Sequence, residues 1–314
     1  MTNQPTDPLG VIYTEWTEEF VANPQMSLRL MRWVFEDWQR ATAEPEDVTY
    51  KSTEIGGVPG ILVTPLTADP TQVLVFLHGG GFALGSSASH RKLAGHVAAA
   101  CGAIGFVADF RRAPEHPYPA QLDDAGAVFD ALVEAGIAAA DISFVGDSAG
   151  ANIAIATTLR LHRDEGRTPG LVMAISPWLD MENTGETLVS NDATDFLITR
   201  EGLQGNIDRY LCGGASPVDP LVNPLYADFT GFPPLYITAA DIESLYADAT
   251  RLHARASEAG VDVTLEVAAG QQHVFPLQAG RLAAADQAIA SMAVWYQARR
   301  TAGAHLHTSQ TASA

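Results

Sequence analysis

Asp141-Ile142-Ser143-Phe144-Val145-Gly146-Asp147-Ser148-Ala149-Gly150-Ala151-Asn152 runs a short β-rich segment through a Gly-x-Ser-x-Gly turn and straight into a helix. Gly146 and Gly150 stand two residues either side of Ser148. They let a strand reverse sharply while the serine takes a strained backbone conformation that larger neighbours would block. The hydroxyl is then left at the tip of the strand. Behind it, Ala149–His162 is rich in Ala and Leu, and the free N–H groups of its first turn point toward whatever the serine attacks. The same five residues also describe an ordinary tight loop. The strand before and the helix after favour the catalytic reading, and partners elsewhere in the chain must decide it.

The chain has 314 residues, 47% of them hydrophobic, enough to bury a large core as one α/β domain with an added or inserted piece. Its formal charge of −19, from 18 basic and 37 acidic side chains, opposes phosphate backbones and anionic lipid. Neither nucleic acid nor a membrane is expected as a partner. Met1–Phe20 carries Asp7, Glu15, Glu18 and Glu19 with no basic residue, which does not suit a leader, and no apolar run is long enough to span a bilayer. The two cysteines, Cys101 and Cys212, sit in unrelated contexts and fit a reducing cytoplasm, although one disulfide between them stays open.

Residues 1–46 are expected to form an N-terminal helical cap segment. Leu9–Thr42 reads as two helices, the second dense in aromatics at Trp33, Phe35 and Trp38, either a cap on the mouth of the main domain or an amphipathic helix against the sheet. Strands follow at Asp47–Ile55 and Val58–Pro65 about Gly56-Gly57, then Val73–Leu77, Ile104–Asp109, Ile142–Val145, Leu171–Ser176, Leu235–Thr238 and Val263–Val267. Helices alternate with them at His90–Cys101, Pro119–Gly136 and Ala149–His162. Buried strands alternating with helices predict a mostly parallel sheet of eight strands covered on both faces, spanning 47–300. The alternation breaks over about 179–230, where Asn, Asp, Gly, Thr and Pro surround a helical patch at Glu201–Leu211. That excursion is expected to cover the strand ends with the N-terminal helices. Residues 301–314 are small and polar and are expected to be disordered, with His305 and His307 as bystanders rather than metal ligands.

Two more motifs bear on Ser148. His78-Gly79-Gly80-Gly81-Phe82 directly follows a strand, and three consecutive glycines let backbone N–H groups converge on one point, as an oxyanion requires. Phosphate fits poorly, because no Gly-Lys-Ser/Thr follows and no basic residue lies close to the glycines before Arg91. His78 itself suits a role in orienting the loop. Of the nine histidines, His273 has the setting a mobile base needs, a short loop just past the last strand, and the order nucleophile, acid, histidine matches an α/β-hydrolase.

These motifs, with Arg112-Ala113-Pro114-Glu115-His116-Pro117-Tyr118-Pro119-Ala120 and Asp123-Asp124, together resemble the bacterial branch of the hormone-sensitive-lipase family of serine esterases, over roughly Asp47 to Arg300. The resemblance implies an α/β-hydrolase fold with a helical cap, no cofactor and no metal, a small ester substrate with a short or medium acyl group, and in many members a homodimer. It places the oxyanion donors on the N–H groups of Gly80, Gly81 and Ala149. One departure concerns the acid. The family usually has Asp-x-Leu after the penultimate strand, and here the stretch is Ala240-Asp241-Ile242-Glu243-Ser244-Leu245. Counting two residues back from Leu245 favours Glu243, with Asp241 as the alternative acid.

The expected function is therefore a serine carboxylesterase acting through Ser148, His273 and Glu243. A lactonase with the same machinery is the nearest enzymatic alternative. A non-catalytic small-molecule receptor is the alternative of another class, disfavoured by the intact His273. Trp33, Trp38, Trp178, Phe196 and Leu197 are candidates for an apolar substrate pocket, with a core role as the competing reading for each.

Overall fold

The computed structural model describes residues 8–311, with side chains as far as Arg300. In chain order the elements are α1 (Pro8–Ala22), α2 (Leu28–Phe35), β1 (Val48–Ile55), β2 (Val58–Pro65), β3 (Asp69–Leu77), α3 (Ser87–Cys101), β4 (Ala103–Ala108), α4 (Ala120–Glu134), β5 (Ile142–Asp147), α5 (Ala149–Glu165) and β6 (Leu171–Ile175). Then come α6 (Thr187–Ser190), α7 (Arg200–Tyr210), β7 (Leu235–Ala240), α8 (Tyr246–Glu258), β8 (Val263–Ala268) and α9 (Ala283–Thr311). A 3₁₀ turn, Glu36–Ala41, continues α2.

The eight strands form one sheet in the order β1-β2-β4-β3-β5-β6-β7-β8. β2 runs antiparallel to β1 and to β4, and every other pair is parallel. This is an α/β-hydrolase sheet. The period of two along β3 divides the core: Val73, Val75 and Leu77 face the side of α4, α5 and α8, whereas Leu74 and Phe76 face α1, α3 and α9. Because both faces are covered, the central strands are continuous apolar runs rather than alternating ones.

β3 starts at Asp69, ahead of its apolar run, because Asp69 pairs with Ala103 before a register shift at Val73. The boundary expected at Thr301 does not end the last helix either. α9 carries on to Thr311, and residues 312–314 lie outside the described residues. A helix nucleated on a packed segment propagates at little cost into an Ala-containing continuation such as Thr301–Thr311. Cys101 is buried and Cys212 exposed, and both are free thiols. Among the described residues no helix is long and apolar enough to cross a membrane.

The strand ends that meet at the site are held together by contacts tolerating no side chain. A Cβ on Gly150 would lie 1.9 Å from the Leu77 carbonyl oxygen, and one on Gly146 would lie 2.4 Å from the Gly150 carbonyl carbon. Gly150→Ala is therefore expected to cost about 3 kcal/mol or more in unfolding free energy, since both clashing partners are backbone. A urea midpoint within 0.5 M of the parent would show that α5 can back away from β3 after all.

Candidate active site

Ser148 sits between β5 and α5 at φ 53°, ψ −119°, a conformation that costs about 1–3 kcal/mol and must be imposed by its surroundings. The surroundings are visible. The Ser148 N–H donates to the Ile175 carbonyl at 2.9 Å, and its own carbonyl accepts from Ala151 and from Trp178 at 3.1 and 3.2 Å. Asn152, one helical turn on and fully buried, donates to the carbonyls of Trp178 and Val222. The turn is thus clamped between β6 and the segment after it.

The Ser148 hydroxyl lies 3.0 Å from His273 Nε2, and His273 Nδ1 lies 2.9 Å from Glu243 Oε2. A carboxylate can only accept, so Nδ1 carries the proton and Nε2 is the lone pair facing the serine. All three side chains are buried, Glu243 completely. Burial alone would push the imidazole pKa down. The hydrogen bond and negative charge of Glu243, with Asp195 and Asp147 adding, outweigh it and hold His273 above its ordinary 6.5.

Asp241 is elsewhere. It is exposed, and its carboxylate accepts from the Gly270 N–H at 2.6 Å, closing the turn between β8 and the histidine loop. The chain therefore brings Glu243, and not Asp241, to the imidazole.

The second glycine-rich segment lies beside the serine. Gly80 and Gly81 have φ of 114° and 61°, a region that favours glycine, and the Gly80 carbonyl accepts from Ala83 and Leu84 to close the turn. Among the described residues no protein acceptor takes the N–H groups of Gly80, Gly81 or Ala149. Asp147 anchors the loop by accepting from the Gly79 N–H at 3.1 Å, and a Cβ on Gly79 would collide with that carboxylate at 2.2 Å. His78 is buried, stacked on Phe110 at 4.2 Å, and donates from Nδ1 to the Gly79 carbonyl. Burial and the neighbouring His90 lower its pKa to about 3, so it stays neutral and braces the loop.

Several supporting residues left no trace in the motifs. Asn191 donates to the carbonyls of Asp241 and Glu243, and Asp195 accepts from the N–H groups of Ser244, Leu197 and Ile198. Gln272 bonds Phe196 N–H and the Thr194 carbonyl, so the 191–199 segment is sewn to both the acid and the histidine loops. From α7, Asn206 rests so close over Gly81 that a Cβ there would meet its Nδ2 at 2.2 Å. The aromatic candidates are corrected in part. Trp38 and Trp178 belong to the core and Trp33 is 73% exposed on the surface, while Phe196 and Leu197 are partly buried against the N-terminal cluster. A helical aromatic pattern does not say which face meets the protein.

Asp195→Ala removes the acceptor of three N–H groups, one of them fully enclosed. The expected loss is about 2 kcal/mol or more of unfolding free energy, read from the urea midpoint at unchanged slope. A change under about 0.5 kcal/mol would mean water replaces the carboxylate there.

Comparison with known proteins places the chain in a family. A family model described as the alpha/beta hydrolase fold matches residues 74–277. The chain is 37% identical over 226 residues to an esterase of Acinetobacter venetianus, covering 72% of this chain and 75% of that one. It is 35% identical over 274 residues to an acetyl-hydrolase of Streptomyces hygroscopicus, covering 81% and 90%. A crystal structure of an esterase from the bacterial hormone-sensitive lipase family superposes with a TM-score of 0.88 at 33% identity, covering 94% of this chain and 99% of that one. The chain belongs to the α/β-hydrolase family, in its bacterial hormone-sensitive-lipase-like branch of carboxylic-ester hydrolases.

Proposed function

We propose that the chain hydrolyses small carboxylic esters through an acyl-enzyme on Ser148. The observation that carries this reading is the unbroken buried line from the Ser148 hydroxyl through His273 to Glu243, at 3.0 and 2.9 Å. His273 takes the serine proton as the hydroxyl attacks the acyl carbon, then passes it to the leaving alcohol. Glu243 holds the Nδ1–H tautomer and stabilises the imidazolium that forms. The N–H groups of Gly80, Gly81 and Ala149, lacking protein acceptors, receive the charge that builds on the carbonyl oxygen. Water deacylates the enzyme by the same route in reverse.

Phe82 stacks on Tyr210 of α7 at 3.8 Å with Trp178 behind. These three rings are buried and back the glycine loop; a short or medium acyl group is part of the proposal. A panel of p-nitrophenyl esters of increasing acyl length, run beside a few lactones, tests both the chain-length reading and the ester over the ring-opening substrate.

Ser148→Ala is expected to lower turnover by about four powers of ten, because no other group can form the acyl bond. Activity within tenfold of the parent would remove Ser148 from the mechanism. Glu243→Gln should lower kcat by orders of magnitude, whereas Asp241→Asn, which keeps an oxygen for Gly270 N–H, should cost about tenfold or less; the opposite ranking would hand the role to Asp241.

The pH dependence has a definite sign. The base works only when neutral, and Glu243 raises its pKa, so kcat/KM should stand below half its plateau at pH 6.5 and rise to the plateau above it. A profile flat from pH 5 to 8 would exclude a histidine base.

A further inference from the structure

The N-terminal helix reaches the candidate base directly. Tyr13 of α1 is fully buried, and its hydroxyl donates to the backbone carbonyl of His273 at 2.8 Å. That hydroxyl is in turn oriented by the indole N–H of Trp38, 3.1 Å away and equally buried. Trp38 is packed by Trp16 and Phe35, with ring centroids at 6.1 and 4.6 Å, and its ring also meets the edge of His90 at 5.0 Å. One turn further along α1, the Thr17 hydroxyl donates to the Phe196 carbonyl at 2.8 Å, and the Phe196 N–H donates to Gln272 beside the histidine. A buried phenol hydroxyl needs an acceptor, and the acceptor here is the main chain of the very residue that must aim an imidazole at two partners. The neighbouring Val274 is held in the left-handed region at φ 54° with its N–H on the Ser176 hydroxyl at 3.1 Å. The carbonyl on one side and the N–H on the other fix the main chain from which the ring is aimed.

We propose that Tyr13, held by Trp38, is a positioning residue for His273, so that the N-terminal helix is part of the catalytic frame and not only a cover over it. The proposal rests on the reading of His273 as the base. A side chain misplaced by a fraction of an ångström weakens both the serine contact and the Glu243 contact. Substrate binding does not pass through Tyr13, so the loss falls on kcat.

The test compares the parent, Tyr13→Phe and Trp38→Phe by ester kinetics across pH and by active-site titration with an organophosphate. The groups facing His273 are Glu243, Asp195 and Asp147, and none is altered in these variants. For Tyr13→Phe the expected result is a kcat lowered about tenfold or more, KM near the parent, a full titre of one label per chain and slower labelling. The acid limb of kcat/KM should also move to lower pH, because a loosened Glu243 contact no longer raises the imidazole pKa as far. Trp38→Phe, which keeps an aromatic ring but loses the N–H and the pyrrole half of the indole, should shift both quantities the same way by less. Parental kcat and acid limb at full titre would overturn the proposal. So would a fall in rate matched entirely by a fall in titre with the acid limb unmoved, which is what a purely structural role produces. If Tyr13→Phe yields no folded protein, Trp38→Phe decides by the same two readouts. A parent enzyme that takes no label at Ser148 would instead sink the serine-esterase reading itself.

Discussion

The start of α5 lies against the end of β3 so tightly that only a hydrogen fits between Gly150 and the Leu77 carbonyl. This approach sets the distance between the serine turn and the glycine loop, since Leu77 leads directly into His78 and Gly79. It also compels the unusual torsion at Ser148, because a strand that must reverse within two residues has few other routes. Asp147 then spans the two segments as a tie, its carboxylate on Gly79 N–H and its backbone in β5. The serine turn and the loop are in this way a single rigid object, set by close packing and fastened by the Asp147 carboxylate.

The candidate acid and base, Glu243 and His273, reach that object from β7 and β8, and their burial makes them dependent on neighbours. A carboxylate taken out of water is costly unless its charge is shared, and Glu243 has the His273 ring and the Ala240 N–H for this purpose. The surrounding amide and carboxylate side chains of Asn191, Asp195 and Gln272 do not touch the imidazole line but occupy the backbone groups of the loops that bear it. Such an arrangement removes alternatives: each loop has its polar groups already satisfied in one conformation.

Much of this could be read in the chain itself. Ser148, the three glycines after His78 and the position of His273 beyond the last strand are local patterns, and local patterns survive translation into one dimension. Alternating apolar runs likewise announced eight strands within a few residues of their ends. What stayed hidden depends on distance in space. Tyr13, Asn191, Asp195 and Gln272 look like ordinary helix or loop residues, and only folding brings them to the candidate acid and base. Trp33 and Trp38 differ by five positions on one amphipathic segment, yet one is on the surface and the other at the centre of the aromatic cluster. Which face of a short helix is covered is a tertiary fact.

The bond from Tyr13 to the His273 carbonyl joins residues 260 positions apart. On a ribosome, helix α1 emerges long before β8 exists, so its buried tyrosine and the aromatic cluster around it wait without their final acceptor while most of the sheet is made. The serine turn and the glycine loop assemble in the first half of the chain, from neighbouring parallel strands. His273 arrives after all eight strands and docks onto α1, the first helix of the described residues. A chain stopped before β8 therefore holds Ser148 in its turn with no imidazole beside it, and the proposed serine–histidine pair exists only once the last strand has been added.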